Sequence, residues 1–211
     1  MEMQRKLIVK VKEKQEKPII EDVITDNLDE VLKKHALDFI LYMRKNKMAP
    51  KCNTTAKIWD GVLSGINWGF KYKNKPLCCI HVTSSSGFGY RDFYEDTRPG
   101  KPPCWVIVPF LTNMEVYKEV IMNEGLQDII WDNAGSCVYG ERSPYFGTEK
   151  APGCNPNKSC VGGRTIFILG KEFRGCCVCG FGISIWNPDE TAINKIKRLL
   201  ELEKQARAEN N

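Results

Sequence analysis

From Leu28 onward, apolar residues return every three or four positions. Leu28, Val31, Leu32, Ala36, Phe39, Ile40 and Met43 fall on one face of a helix running from about Leu28 to Lys47. Asn27 and Glu30 stand at capping-box spacing, where side chains satisfy the free backbone N–H groups of the first turn. Arg44, Lys45 and Lys47 suit the negative end of the helix dipole, and Pro50 closes the segment. The pattern then changes to strands. Residues 66–72 and 76–82 flank Lys73-Asn74-Lys75, a predicted hairpin turn. Residues 84–89 and 95–103 are rich in Ser, Gly and Pro and read as loops, while Cys104 to Phe110 is a short apolar run suited to a buried strand.

Asn113 is placed to cap a second helix through about Asn123, with Gly125 breaking it before a further turn at Leu126–Trp131. Residues 133–163 carry no period and many Gly, Pro, Asn and Ser. Arg164–Leu169 and Gly180–Trp186 read as strands, with Gly170-Lys171 turning the chain between them. Asn187-Pro188-Asp189-Glu190 opens a last helix whose stripe is Ile193, Ile196, Leu199 and Leu200. The whole predicts an α+β fold: an antiparallel sheet packed by an N-terminal, a middle and a C-terminal helix, with a long cysteine-containing loop. Residues 1–25 are expected as an N-terminal extension, 26–206 as a single domain with its cysteine-rich part at 137–179, and 207–211 as a frayed tail.

Composition changes this picture little. A hydrophobic content of 42% and a charged content of 27% are ordinary for a globular chain. The net charge of +5 is spread among interspersed acids and bases, so no nucleic-acid partner is expected. Residues 1–17 are charged throughout and lack an apolar core, and no run reaches transmembrane length, so a cytoplasmic protein with no membrane partner is expected.

Ten cysteines do change the picture. In a reducing compartment clustered cysteines are metal ligands or redox groups more often than disulfides. Cys137, Cys154, Cys160, Cys176, Cys177 and Cys179 gather in the C-terminal half, and Cys176 and Cys179 form a C-x-x-C that can present two thiolates to one ion. A zinc ion held by four such thiolates would offset the ordering entropy of the 137–163 loop, with a binding free energy on the order of 10 kcal/mol in zinc peptides. The expectation is therefore a metal-binding protein with a structural or metal-handling zinc site. Iron or an iron–sulfur cluster is the alternative metal, and buried core thiols or a redox pair are the alternatives without one.

A second reading uses the aromatic middle region. Trp68, Tyr90 and neighbouring aromatics, with Arg91 and the Cys79-x-His81 pair, offer an apolar cleft with a few polar contacts for a small molecule, as a binding protein or an enzyme. The same aromatics also suit an ordinary core under an antiparallel sheet.

The run Trp68-Gly-Phe-Lys-Tyr-Lys-Asn-Lys-Pro-Leu-Cys-Cys-Ile resembles a hairpin of the YdhG-like family of small bacterial proteins, with Asn74 where that family often has Gly. The resemblance spans about fifteen residues. It implies a bacterial α+β domain of the kind sometimes labelled frataxin-like, adds weight to metal handling, and transfers no catalytic residue.

Overall fold

The computed structural model describes residues 17–59, 62–83, 104–134, 164–176 and 183–209. The helices are α1 (Ile20–Asn27), α2 (Glu30–Lys45), α3 (Lys118–Asn123), α4 (Gln127–Asp132) and α5 (Glu190–Glu209). The strands are β1 (Lys51–Trp59), β2 (Val62–Tyr72), β3 (Lys75–Thr83), β4 (Cys104–Pro109), β5 (Arg164–Ile168), β6 (Lys171–Cys176) and β7 (Ile185–Trp186). This is the α+β architecture expected from the sequence. A five-stranded antiparallel sheet runs in the order β1-β2-β3-β4-β7, and β5 and β6 pair separately as a hairpin.

Register explains where the core lies. Cys52, Trp68, Ile80, Ile107 and Ile185 stand opposite one another in a single row across all five strands. Facing partners in a sheet share a side, so one face receives the whole row. All five are buried, as are Phe70, Cys78, Val82 and Trp105 of the flanking rows. α1 packs on α2 and β3, and α2 on β4 and α5. The stripe of α2 buries Ala36, Phe39, Ile40 and Met43, and the Phe39 ring lies 6.1 Å from Tyr42 and 6.3 Å from Trp105. The aromatics here form core.

Caps differ in detail from the sequence pattern. Asp29, not Asn27, opens α2, its carboxylate accepting from the Val31 and Leu32 backbone N–H groups at 3.0 and 2.9 Å. Asn27 instead ends α1, a short helix that begins within the expected extension of residues 1–25 and runs past it, held by buried Ile20 and Ile24. Asp189 caps α5 through the Ala192 N–H at 2.7 Å. α3 starts at Lys118, because residues 112–117 form turns. Cys52, two residues after Pro50, sits in β1. The Gly170 turn leads from β5 into β6; of the strand expected at 180–186, the described residues pair at Ile185–Trp186 and, through a single bridge to Ala134, at Ile183.

The β2–β3 turn holds Lys73 and Asn74 at φ of 46° and 63°. Two left-handed residues make the turn whose twist matches the flanking strands, and Gly is favoured at its second position. Asn74→Gly is expected to raise stability by about 0.5 kcal/mol, a rise of one or two degrees in Tm on thermal unfolding.

The end of α5 is fastened where a frayed tail was expected. Ala206 and Arg207 are buried and the helix continues to Glu209. The Glu203 carboxylate, fully buried, accepts from Tyr117 Oη (2.6 Å), Thr112 Oγ1 (2.8 Å), Asn113 N (3.1 Å) and Nδ2 (2.8 Å), and Arg207 Nε (2.7 Å). Arg207 then donates to the carbonyls of Pro76 and Phe110, each at 2.8 Å. Helix, hairpin and the β4–α3 connection are thereby joined by one buried polar network.

Candidate functional site

The second face of the five-stranded sheet lies opposite the one on which Phe39 of α2 meets Trp105 and Pro18, before α1, meets Trp68. Alternation along β3 sends Cys78, Ile80 and Val82 to the core and Cys79 and His81 to this other side. Register places Asn67 of β2 and Val106 of β4 on either side of His81, with Trp186 of β7 beyond. Gly69 and Val108 flank Cys79 in the same way. Asn67, Gly69, Cys79, His81, Val108 and Trp186 are all half-buried. Gly69, with no side chain, stands directly beside Cys79 in the register.

Cys79 Sγ lies 3.5 Å from His81 Nε2. Burial pushes the Cys79 thiol up to about 11 and the His81 imidazolium down to about 4. Both side chains are therefore neutral at pH 7. A nucleophilic cysteine needs the reverse, a thiol lowered by a neighbouring cation so that thiolate is present. The pair is built as uncharged hydrogen-bonding groups in an apolar setting.

The sequence-derived candidates separate in the structure. Cys79 and His81 meet, as their spacing indicated. Trp68 does not join them: it is 2% exposed on the helix-facing side, where its indole Nε1 donates to the Pro18 carbonyl at 3.3 Å. Tyr90 and Arg91 lie outside the described residues. Asn67, Gly69, Val106, Val108 and Trp186 were not singled out by sequence reading. Alternation alone could have paired Asn67 with Gly69 on β2, but their place beside β3 follows from cross-strand register.

The metal expectation is corrected. Among the described residues, no group of three or more His, Cys, Asp or Glu could hold a metal ion. This overturns the cysteine-ligated zinc as a reading of the described structure, and the iron and iron–sulfur alternatives and a metal-ion partner with it. Of the proposed ligands, Cys137, Cys154, Cys160, Cys177 and Cys179 lie outside the described residues, and Cys176 ends β6, its backbone opposite Arg164. The described free thiols point apart across the sheet, Cys52 and Cys78 into the core and Cys79 to the other face. Burial raises both core thiols, Cys78 well above the ordinary range.

Among the described residues no helix is long and apolar enough to cross a membrane. Comparison with protein-family models, curated proteins and solved structures finds no match for this chain.

Proposed function

We propose that this chain is a small-molecule binding protein whose ligand rests on the second face of the sheet, over Gly69 and against Cys79, His81, Asn67 and Trp186. The observation that carries the reading is the Cys79–His81 contact at 3.5 Å, a half-buried polar pair with no charge at neutral pH. An indole, two valines and a few polar groups are the ingredients of a site that orients an uncharged, hydrogen-bonding ligand. The cytoplasm is the setting this reading assumes, in keeping with the free thiols Cys52, Cys78 and Cys79.

The test is a ligand-observed NMR screen with uncharged heteroaromatic fragments, followed by two site readouts. Bound fragments are expected to shift the His81 ring signals and to slow alkylation of Cys79 by a maleimide under denaturant-free conditions. Fragments that bind while leaving both readouts unchanged, or an absence of any binder, would remove the reading.

The electrostatics give an independent prediction. The His81 ring should titrate near pH 4 by NMR. Its pKa is lowered on folding, so between the ordinary value of 6.5 and about 4 the unfolded chain binds a proton that the folded chain refuses. Stability is accordingly lost as pH falls through that window, by about 1.4 kcal/mol for each unit of the shift. His81→Phe should flatten this part of the stability profile. Cys79 should react with iodoacetamide at neutral pH roughly a hundredfold more slowly than an unshifted thiol, in proportion to its thiolate fraction.

A further inference from the structure

Lysines that the sequence disperses are gathered by the fold at one end of the sheet. Lys71, Lys73 and Lys75 occupy the tip of the β2–β3 hairpin, and all three are exposed. Tyr72 lies among them, half-buried, with Lys73 Nζ 5.9 Å from its ring centre and Lys204 Nζ of α5 5.7 Å from it. Lys204 also donates to Asn46 Oδ1 at 2.9 Å, which brings in the end of α2 and exposed Lys47 beside Asn46. The ammonium groups of Lys73 and Lys204 thus meet at one ring, with exposed Lys71 and Lys75 on the same hairpin and exposed Lys47 next to the residue that Lys204 contacts. None of the ion pairs formed among the described residues engages Lys47, Lys71, Lys73, Lys75 or Lys204. Of the acids on α5 beside Lys204, Glu203 is turned into its buried network, and the Glu201 carboxylate already accepts from Tyr42 Oη at 3.4 Å.

We infer that this tip is a docking surface for the phosphodiester backbone of single-stranded nucleic acid. Unpaired ammonium groups a few residues apart match a chain of phosphates, and their binding is driven by release of condensed counterions. An aromatic ring set between cations is the usual platform on which a base stacks in sequence-tolerant single-strand binding, and half-buried Tyr72 holds that place here. A lipid surface fits less well, because residues 71–76 expose no large apolar side chain to enter it.

The experiment is fluorescence anisotropy of the full chain with a labelled mixed-sequence single-stranded oligonucleotide of about twenty nucleotides. Binding is expected in 50 mM salt and should weaken about tenfold or more in 200 mM salt, as engagement of three or four phosphates requires. Lys71→Ser with Lys73→Ser and Lys75→Ser should lose at least tenfold in affinity while melting like the parent, since these side chains are exposed. Single Lys73→Gln and Lys75→Gln substitutions should each give part of that loss. Lys33→Ser with Lys34→Ser, which removes two charges from the start of α2, should leave binding within twofold. Absence of binding at 50 mM salt, equal loss in the tip and control variants, or association only with phosphatidylserine vesicles would each overturn the inference.

Discussion

Glu203→Ala is expected to destabilise the protein by about 3–5 kcal/mol, lowering Tm by on the order of 10 °C. The cost does not come from one hydrogen bond. Removing the carboxylate leaves the Arg207 guanidinium buried without its anion and strands the Tyr117, Thr112 and Asn113 donors that now point at it. A buried charge stripped of its partner is far more costly than the pair was worth. Burial alone would push the Glu203 carboxyl up. The hydrogen bonds from Tyr117, Arg207, Thr112 and Asn113 together outweigh it and hold the group below the usual carboxylate range. The network is thus intact at neutral pH and fails as acid protonates Glu203 below its unfolded value of about 4.5. Urea titration of the parent and variant at pH 7 checks the size of the effect, and a loss under 1 kcal/mol would contradict this account. Replacing both charges, Glu203→Leu with Arg207→Met, should cost less than the sum of the single changes, because neither is then left alone.

Trp68→Ala should cost a similar amount, about 3–5 kcal/mol, from lost burial and the cavity left in the central row of the sheet. Trp68→Phe should cost less, close to the hydrogen bond to Pro18 and the volume difference. These two variants separate a core residue from a ligand contact. A ligand contact would let Trp68→Ala fold with unchanged stability and lose binding alone. A core residue loses stability first, and Trp68→Phe keeps whatever ligand binding the opposite face supports. Chemical denaturation of both variants, run beside the fragment assay, distinguishes the two.

Much of the architecture was legible because periodicity and burial agree. The stripe of α2, the β2–β3 hairpin, the apolar run of β4 and the stripe of α5 each show their period directly. β1 was not legible: Lys-Cys-Asn-Thr-Thr-Ala-Lys offers few apolar positions, and its extended form rests on pairing with β2. The last turn of α5 was misread for a related reason. Glu203 and Arg207 look like solvated charges in sequence, and their burial depends on each other and on three groups about ninety residues earlier. At the candidate site, Cys79 and His81 could be placed on one face from their spacing. Their neighbours could not, because which residue of β2 or β4 stands beside them is a matter of register. Cysteine spacing proved a weak guide for the same reason. It states separation along the chain, whereas Cys78 and Cys79, adjacent in sequence, face opposite sides of the sheet.

The position of α5 in the chain has a consequence for biosynthesis. A ribosome delivers β1 to β4, with the greasy row of Trp68, Ile80 and Ile107, well before it delivers the helix that carries Leu199, Leu200 and Ala206. Until then the nascent sheet has the earlier helices but lacks the apolar stripe of α5, and the strip left uncovered is a place for holdase chaperones to grip. Arrival of the Arg207 clasp on Pro76 and Phe110 then closes that window, so maturation of this domain is timed by its last helix to emerge.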